Sequence, residues 1–383
     1  MRSLAGVKVL DWTRLLPGPF ATMVLGDLGA QVDKVEDLQG ADYLRHIPPL
    51  VGDTSSIFLA LNRNKRSACL DLKKPSGREA FFTMARAYDV LVEQFRPGVL
   101  DRLGVSHATL QEANPRLVIC SLTGYGQTGP LAKRAGHDLN YLARGGVLGF
   151  QGPAEGPPAV PGVQMADIGG ALWSVIGILT ALAERAKTGR GQVVDVSMMA
   201  AAMPFAIAGF GLGFAGTPAR RGDEPLTGGI APYATYATKD GRAVALAALE
   251  PKFWMAFCAG AGLEPDLSAM LPGPHQVALN EKLRALFLTK TRDEWGAFGA
   301  QHDCCLEPVL EGDEVKTDPQ TADMFFSLPS PWGDIAQMRT PLTDAAGPHR
   351  APPRTGEHTE AILREAGVDE ALLARMKGER AIE

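Results

Sequence analysis

Apolar and polar positions in the first third of the chain switch repeatedly between a period of two and a period near 3.6. Residues 7–12, 31–35, 68–72, 90–93 and 117–122 are short apolar runs that predict strands. Residues 20–28, 77–87 and 106–113 carry helical spacing between them. Pro17-Gly18-Pro19 is read as a turn ahead of the first helix, which Gly29 ends. Strand–helix–strand order of this kind builds a parallel sheet with right-handed crossovers, so the expected fold is α/β with a doubly wound, mostly parallel sheet. The clearest helix spans 168–187. Its apolar positions at 168, 171, 172, 175, 176, 179, 182 and 183 predict a wide buried face, and Gly169 and Gly170 allow close approach near its start.

Beyond residue 214 the texture changes. Residues 215–230 are rich in Gly and Pro and read as a linker, as do 309–329. Between them, 233–249 reads as a hairpin turned at Lys239-Asp240-Gly241, and 251–259, 276–288 and 292–301 read as helices. The expected organisation is a large α/β domain from 1–214 plus 330–383 and a smaller α+β domain over 231–308. A Pro-rich stretch over 329–353 precedes two predicted helices at 357–366 and 370–377. The most apolar segment, Met198–Phe214, is short for a bilayer span and contains Pro204, Gly209, Gly211 and Gly213, so a buried helix is expected.

Composition narrows the function. The 383 residues carry a formal net charge of −5 and no basic block, which argues against nucleic acid as a partner but leaves room for a local basic pocket. Neither a membrane span nor an amino-terminal leader is expected, and a cytoplasmic location follows. The five cysteines show no metal-clip spacing, so thiols in a reducing compartment and no metal site are expected. After the first strand, Leu15-Leu16-Pro17-Gly18-Pro19 stands where a dinucleotide-binding chain has GxGxxG. NAD and FAD are therefore not expected, although Glu36 lies near the end of the second strand.

Several residues could carry chemistry. Gly124-Tyr125-Gly126-Gln127-Thr128-Gly129-Pro130 allows close backbone approach after a strand, or is an ordinary turn. Gly136-His137-Asp138-Leu139-Asn140-Tyr141 places the side chain that titrates most readily near neutrality just before a helix; the plainer reading is that Asp138 caps the helix and His137 is a satisfied or solvent-facing side chain. Asp167 opens the long helix behind Val163, Met165 and Ala166, as a cap or as a poorly hydrated base or nucleophile. Glu250 precedes another helix, as a cap or as a carboxylate that orients a histidine. Arg63, Lys65, Arg66, Arg96 and Arg102 are loop cations, solvated or holding phosphates.

Further strings fall in a recurring order: Leu4-Ala5-Gly6-Val7-Lys8-Val9-Leu10-Asp11, Gly26-Asp27-Leu28-Gly29-Ala30, Asn64-Lys65-Arg66-Ser67, Leu70-Asp71-Leu72-Lys73, Phe95-Arg96-Pro97-Gly98, Thr188-Gly189-Arg190-Gly191-Gln192 and Gly356-Glu357-His358-Thr359. With the glycine loop, they resemble the family III CoA-transferases along essentially the whole chain. The strings around His137, Asp167 and Leu249-Glu250-Pro251-Lys252-Phe253 resemble the racemase branch of that family. The resemblance implies an interlocked homodimer, an acyl-CoA substrate that brings its own coenzyme A, and no tightly bound cofactor. It implies that His137 and Asp167 alternate as base and acid at the α-carbon of a 2-methyl-branched acyl-CoA, with Glu250 orienting His137. A backbone N–H at the start of the Asp167 helix would face the enolate oxygen. Coenzyme A would be held by Arg63, Lys65, Arg66, Leu70, Asp71, Leu72, Lys73, Gln94, Phe95, Arg96, Arg102, Gly124, Gly136, Asp138 and Tyr141. Asp37 replaces an arginine frequent in the family, so Arg45, Arg63 or Lys65 is expected to compensate. The alternative is CoA transfer between carboxylic acids through an Asp167 intermediate; a third reading is thioester binding without turnover.

Overall fold

The apolar runs of the amino-terminal third pair into one sheet in the computed structural model, which describes residues 2–382. Its six strands are β1 (Lys8–Trp12), β2 (Gln31–Glu36), β3 (Lys65–Cys69), β4 (Val90–Glu93), β5 (Val118–Thr123) and β6 (Val193–Ser197). All pair in parallel, in the order β3-β2-β1-β4-β5-β6, with Val9 opposite both Val32 and Val90. Every residue of β4 and β5 is buried, as expected of a parallel sheet covered on both faces. The order reverses between β1 and β4. Ligands of doubly wound sheets bind outside the carboxyl ends of the strands at such a reversal.

Two local expectations shift. Helix α1 (Pro17–Asp27) begins on the Pro-Gly-Pro string itself, because the first-turn N–H groups have no partner within a helix and proline there forfeits nothing. The strand expected at 68–72 starts three residues earlier, at Lys65. Its polar first half is buried because each cation there meets a carboxylate. Helix α2 (Pro75–Ala87) matches its expectation, extended by two residues.

The long helix, Met165–Thr188, buries only part of the face expected, Ala171 and Val175, and is shifted toward smaller residues. Ala171, Ser174, Val175, Ile178 and Ala181 face inward, while Leu172, Trp173 and Ile176 are exposed in the single chain. The small residues win because the helix lies very close to its neighbours: a Cβ on Gly177 would come within 2.5 Å of Val194, and one on Gly170 within 2.8 Å of Met198. By length and composition this helix could cross a bilayer, yet it packs on β5, β6 and α1.

Contacts divide the chain into two units. The larger holds residues up to Leu142, Gln164–Ala202 and everything from Pro319 onward; the smaller holds Ala143–Val163 and Met203–Asp318. The boundary thus falls after Ala202, not after 214. Pro204 ends the helix Met198–Ala202, and a second helix, Ile207–Phe214, follows with no buried residue, so the single buried helix expected there is absent. Phe210 of that helix stacks edge-on against Phe150 at 5.6 Å within the smaller unit. In the larger unit the carboxyl-terminal helices Thr359–Glu365 and Glu370–Gly378 add Ile362, Leu363, Leu373 and Met376 to a core with Leu10, Phe81, Met84 and Leu91. Across the end of the expected linker and the start of the Pro-rich stretch an unexpected hairpin forms, Phe325–Ser330 with Gly333–Met338. The smaller unit is an antiparallel sheet of Tyr233–Ala237, Ala243–Ala247 and Leu306–Pro308 with three helices around Trp254, Phe257, Phe287 and Trp295.

Candidate active site

The sheet reversal places the carboxyl ends of β1 and β4 beside each other, and the segments that leave them, Arg14–Leu15 and Gln94–Gly98, form one wall of a cleft of about 970 Å³. Thr123 and Gly124, leaving β5, continue it. His137, Asn140, Tyr141 and Asp167 complete its wall. All of these belong to the larger unit.

The acidic half of this wall is built at two helix starts. His137 precedes helix α3 (Asp138–Arg144), and its N–H donates to the Asn140 side chain at 3.0 Å, which fixes the turn. Asp138 does more than begin its own helix. Its Oδ1 accepts the N–H groups of Ala166 at 2.7 Å and Asp167 at 3.1 Å, so it seals the amino-terminal end of helix α4 (Met165–Thr188). The expectation that a backbone N–H there faces an enolate oxygen is corrected for these two groups, because Asp138 already occupies both.

Asp167, partly buried in the first turn of α4, has its carboxyl pushed up to about 7. Burial is the larger cause and the negative charge of Asp138 the smaller. A carboxyl at that value exchanges protons at neutral pH. Tyr141 closes the base of the wall. Its ring lies so flat on the backbone that a Cβ on Gly124 would stand 2.4 Å from it and one on Gly136 2.7 Å, which explains both glycines. Its hydroxyl donates to the Gly136 carbonyl, and burial, with the Asp167 charge second, pushes it up to about 12.

The cations fall into two groups. Arg96 and Arg102 line the cleft. Arg63, Lys65 and Arg66 do not. Arg63 is fully buried and grips both oxygens of Asp27, Lys65 is fully buried on Asp11, and Arg66 is bound to Asp33. Arg45 cannot stand in for the missing arginine at position 37 either, because Glu36 takes its guanidinium at 2.9 and 2.7 Å. Leu70, Asp71, Leu72 and Lys73 line a smaller hollow of about 120 Å³ beside Glu36 and Asp37; Arg14, Gln94 and Phe95 border both spaces. Of the glycine loop only Gly124 reaches the cleft, and Gln127 is tied back to Asp195 and Ser121. Glu250 lies in the smaller unit, exposed, at the cap of helix Pro251–Ala261.

Sequence reasoning missed Arg14, Tyr43, Lys133 and Arg134, all of which line the cleft. Arg14 was findable, since it directly follows the first strand at the sheet reversal. Lys133-Arg134 stands between the glycine loop and His137, where the eye moves from one motif to the next.

A model of CoA-transferase family III matches residues 4–359. The chain is 37% identical to the α-methylacyl-CoA racemase of Mus musculus over 391 residues, covering 99% of this chain and 97% of that protein. It is 40% identical to the succinyl-CoA:glutarate CoA-transferase of Homo sapiens over 245 residues, covering 63% of this chain and 55% of that one. The fold is similar to that of a CAIB/BAIF family protein from Brucella suis, with a TM-score of 0.83 and 30% identity over 95% of this chain and 99% of that chain.

Proposed function

The chain belongs to CoA-transferase family III, and on that premise we propose that it inverts the α-carbon of a 2-methyl-branched acyl-CoA thioester. The observation that carries the reading is that an imidazole, His137, and a carboxyl held near 7, Asp167, line one cleft of about 970 Å³. Inversion needs such a pair. The thioester carbonyl makes the α-proton removable. One group takes it, the electrons shift onto the carbonyl oxygen as an enolate, and the other group returns a proton to the opposite face. Each turnover leaves the two groups with exchanged protonation states, so an Asp167 carboxyl held near 7 suits the role. The reach of the similarity to the racemase, over nearly the whole chain, also supports it.

The alternative draws on the 40% identity to a CoA-transferase. There Asp167 attacks the acyl-CoA carbonyl, coenzyme A leaves as a thiolate, and an acceptor acid later collects it. One experiment separates the two. A chiral 2-methylacyl-CoA is incubated with the protein in deuterated water without acceptor acid. Inversion predicts deuterium at the α-carbon and loss of optical purity, and both His137→Ala and Asp167→Asn should slow exchange by about a hundredfold or more. Full exchange in His137→Ala, or an Asp167 hydroxamate trapped by hydroxylamine alongside transfer to an added acid, sinks the racemase reading in favour of transfer.

A further inference from the structure

Leu15 borders the cleft in a conformation that its side chain disfavours. Its φ is +65°, the left-handed region that Cβ sterics close to most residues other than glycine. Something must hold it there. Its N–H donates to Oδ1 of Asp42 at 3.1 Å, and the same oxygen accepts the Leu44 N–H at 3.1 Å in the turn Tyr43–His46. The other Asp42 oxygen stands 3.2 Å from the Lys34 ammonium, both side chains being buried. Lys34 in turn donates to the Thr13 carbonyl at 2.6 Å, and Asp11 takes the Thr13 N–H at 3.1 Å. One buried carboxylate and one buried ammonium therefore pin the backbone on both sides of Arg14 and next to Tyr43. Neither charge lines the cleft, but Arg14 and Tyr43 do, the guanidinium 5.7 Å from the ring centroid.

We propose that Asp42, held by Lys34, is a positioning residue for the acyl-CoA: it fixes Arg14 and Tyr43 in advance so that the guanidinium meets an anionic group of the ligand without first having to order its loop. This rests on the reading that the cleft takes a coenzyme A thioester. Preorganised cations bind more tightly because the ordering entropy is already spent in the free protein. The chemistry itself stands on other segments, so the effect belongs in ligand affinity and not in the proton-transfer step.

The test is steady-state kinetics with an acyl-CoA, together with calorimetric binding of free coenzyme A, on Asp42→Ala, Asp42→Asn and Lys34→Met. Asp42→Ala should raise KM and the dissociation constant about tenfold while kcat stays within about threefold. Asp42→Asn keeps the shape and the acceptor oxygen but turns a donor toward Lys34, so its rise is smaller and its folding least at risk. Leu15→Gly is the decisive addition. Glycine occupies positive φ without steric cost, so placed in the Asp42→Ala background, or in Asp42→Asn should the alanine variant not fold, it should recover part of the lost affinity. A carboxylate that only stabilised the fold would lower Tm and leave the Leu15→Gly rescue without effect. Unchanged KM in the folded variants, a fall in kcat alone, or no rescue overturns the proposal. Wild-type protein that binds no coenzyme A overturns the functional reading with it; wild-type binding that the variants leave intact overturns the positioning role alone.

Discussion

Two regions of the larger unit handle charge in opposite ways. On and beside β2 and β3 the charged groups are matched: Arg63 with Asp27, Lys65 with Asp11, Arg66 with Asp33, Arg45 with Glu36. Around the cleft they are not. Among the described residues, Arg14, Arg96, Arg102, Lys133 and Arg134 meet no carboxylate within ion-pair distance, and neither Asp138 nor Asp167 meets a cation. The matched region is interior, where an ion left alone costs several kcal/mol, so each charge there is bound to its counterpart by the fold. The five cations of the unmatched region are open to water, where charge is cheap to keep and free to meet a ligand. The difference shows that a cation's function is decided by the presence of a carboxylate in its neighbourhood, which sequence order hides.

The sharpest way to break this contrast is Arg63→Met. It removes a guanidinium that donates to both Asp27 oxygens at 2.9 and 2.6 Å and to Gln337 at 3.1 Å, and leaves Asp27 buried with a charge short. The expected loss is about 3–5 kcal/mol of folding stability in denaturant titration, with KM of the surviving folded protein unchanged. A raised KM at normal stability would return Arg63 to the ligand and dissolve the distinction.

The reciprocal variants sit in the cleft. Arg96→Ala and Arg134→Ala each remove an exposed, unpaired cation, so stability should move by no more than about 0.5 kcal/mol. Acyl-CoA KM should rise about tenfold, roughly 1.4 kcal/mol, if the guanidinium makes a charge-assisted bond to a phosphate or carboxylate of the ligand. The wild-type KM should also climb with salt, because these charges are screened where the buried pairs are not. Flat kinetics in both variants would mean that the cleft's positive charge is unused.

Much of this was legible in the chain. The β-branched runs gave five of the six sheet strands, and the position of Asp167 at the start of the long helix was read directly. What failed did so for one physical reason, that sequence carries periodicity but not neighbours. Lys65 and Arg66 look like loop residues until Asp11 and Asp33 arrive from β1 and β2. The inward face of the helix Met165–Thr188 mixes Ala171, Ser174 and Ala181 with Val175 and Ile178, because glycines bring it against Val194 and Met198, and a pattern scored by hydrophobicity adds the bulkier, exposed Leu172 and Ile176. The resemblance puts Asp138 among the residues that hold coenzyme A; its hydrogen-bond partners are two amides twenty-eight and twenty-nine residues away.

That last residue gives the smallest and most specific test. Asp138 and Asp167 are like charges near one helix end, and the Asp167 carboxyl stands at about 7 against an ordinary 3.8, first through burial and then through Asp138. Asp138→Asn keeps an oxygen for the Ala166 and Asp167 amides but deletes the charge. The carboxylate form of Asp167 then becomes easier to reach, so the limb of the exchange-rate profile in which Asp167 acts as base should move to lower pH. It should not fall to the ordinary value, because burial, the larger cause, is untouched. At pH above the wild-type limb the rate should change by no more than about threefold, since the amide seal persists. The sign is what matters. A limb that moves to higher pH would mean that Asp138 helps Asp167 ionise, through the helix end it seals, and the cleft would then be a region of balanced charge like the interior beside it.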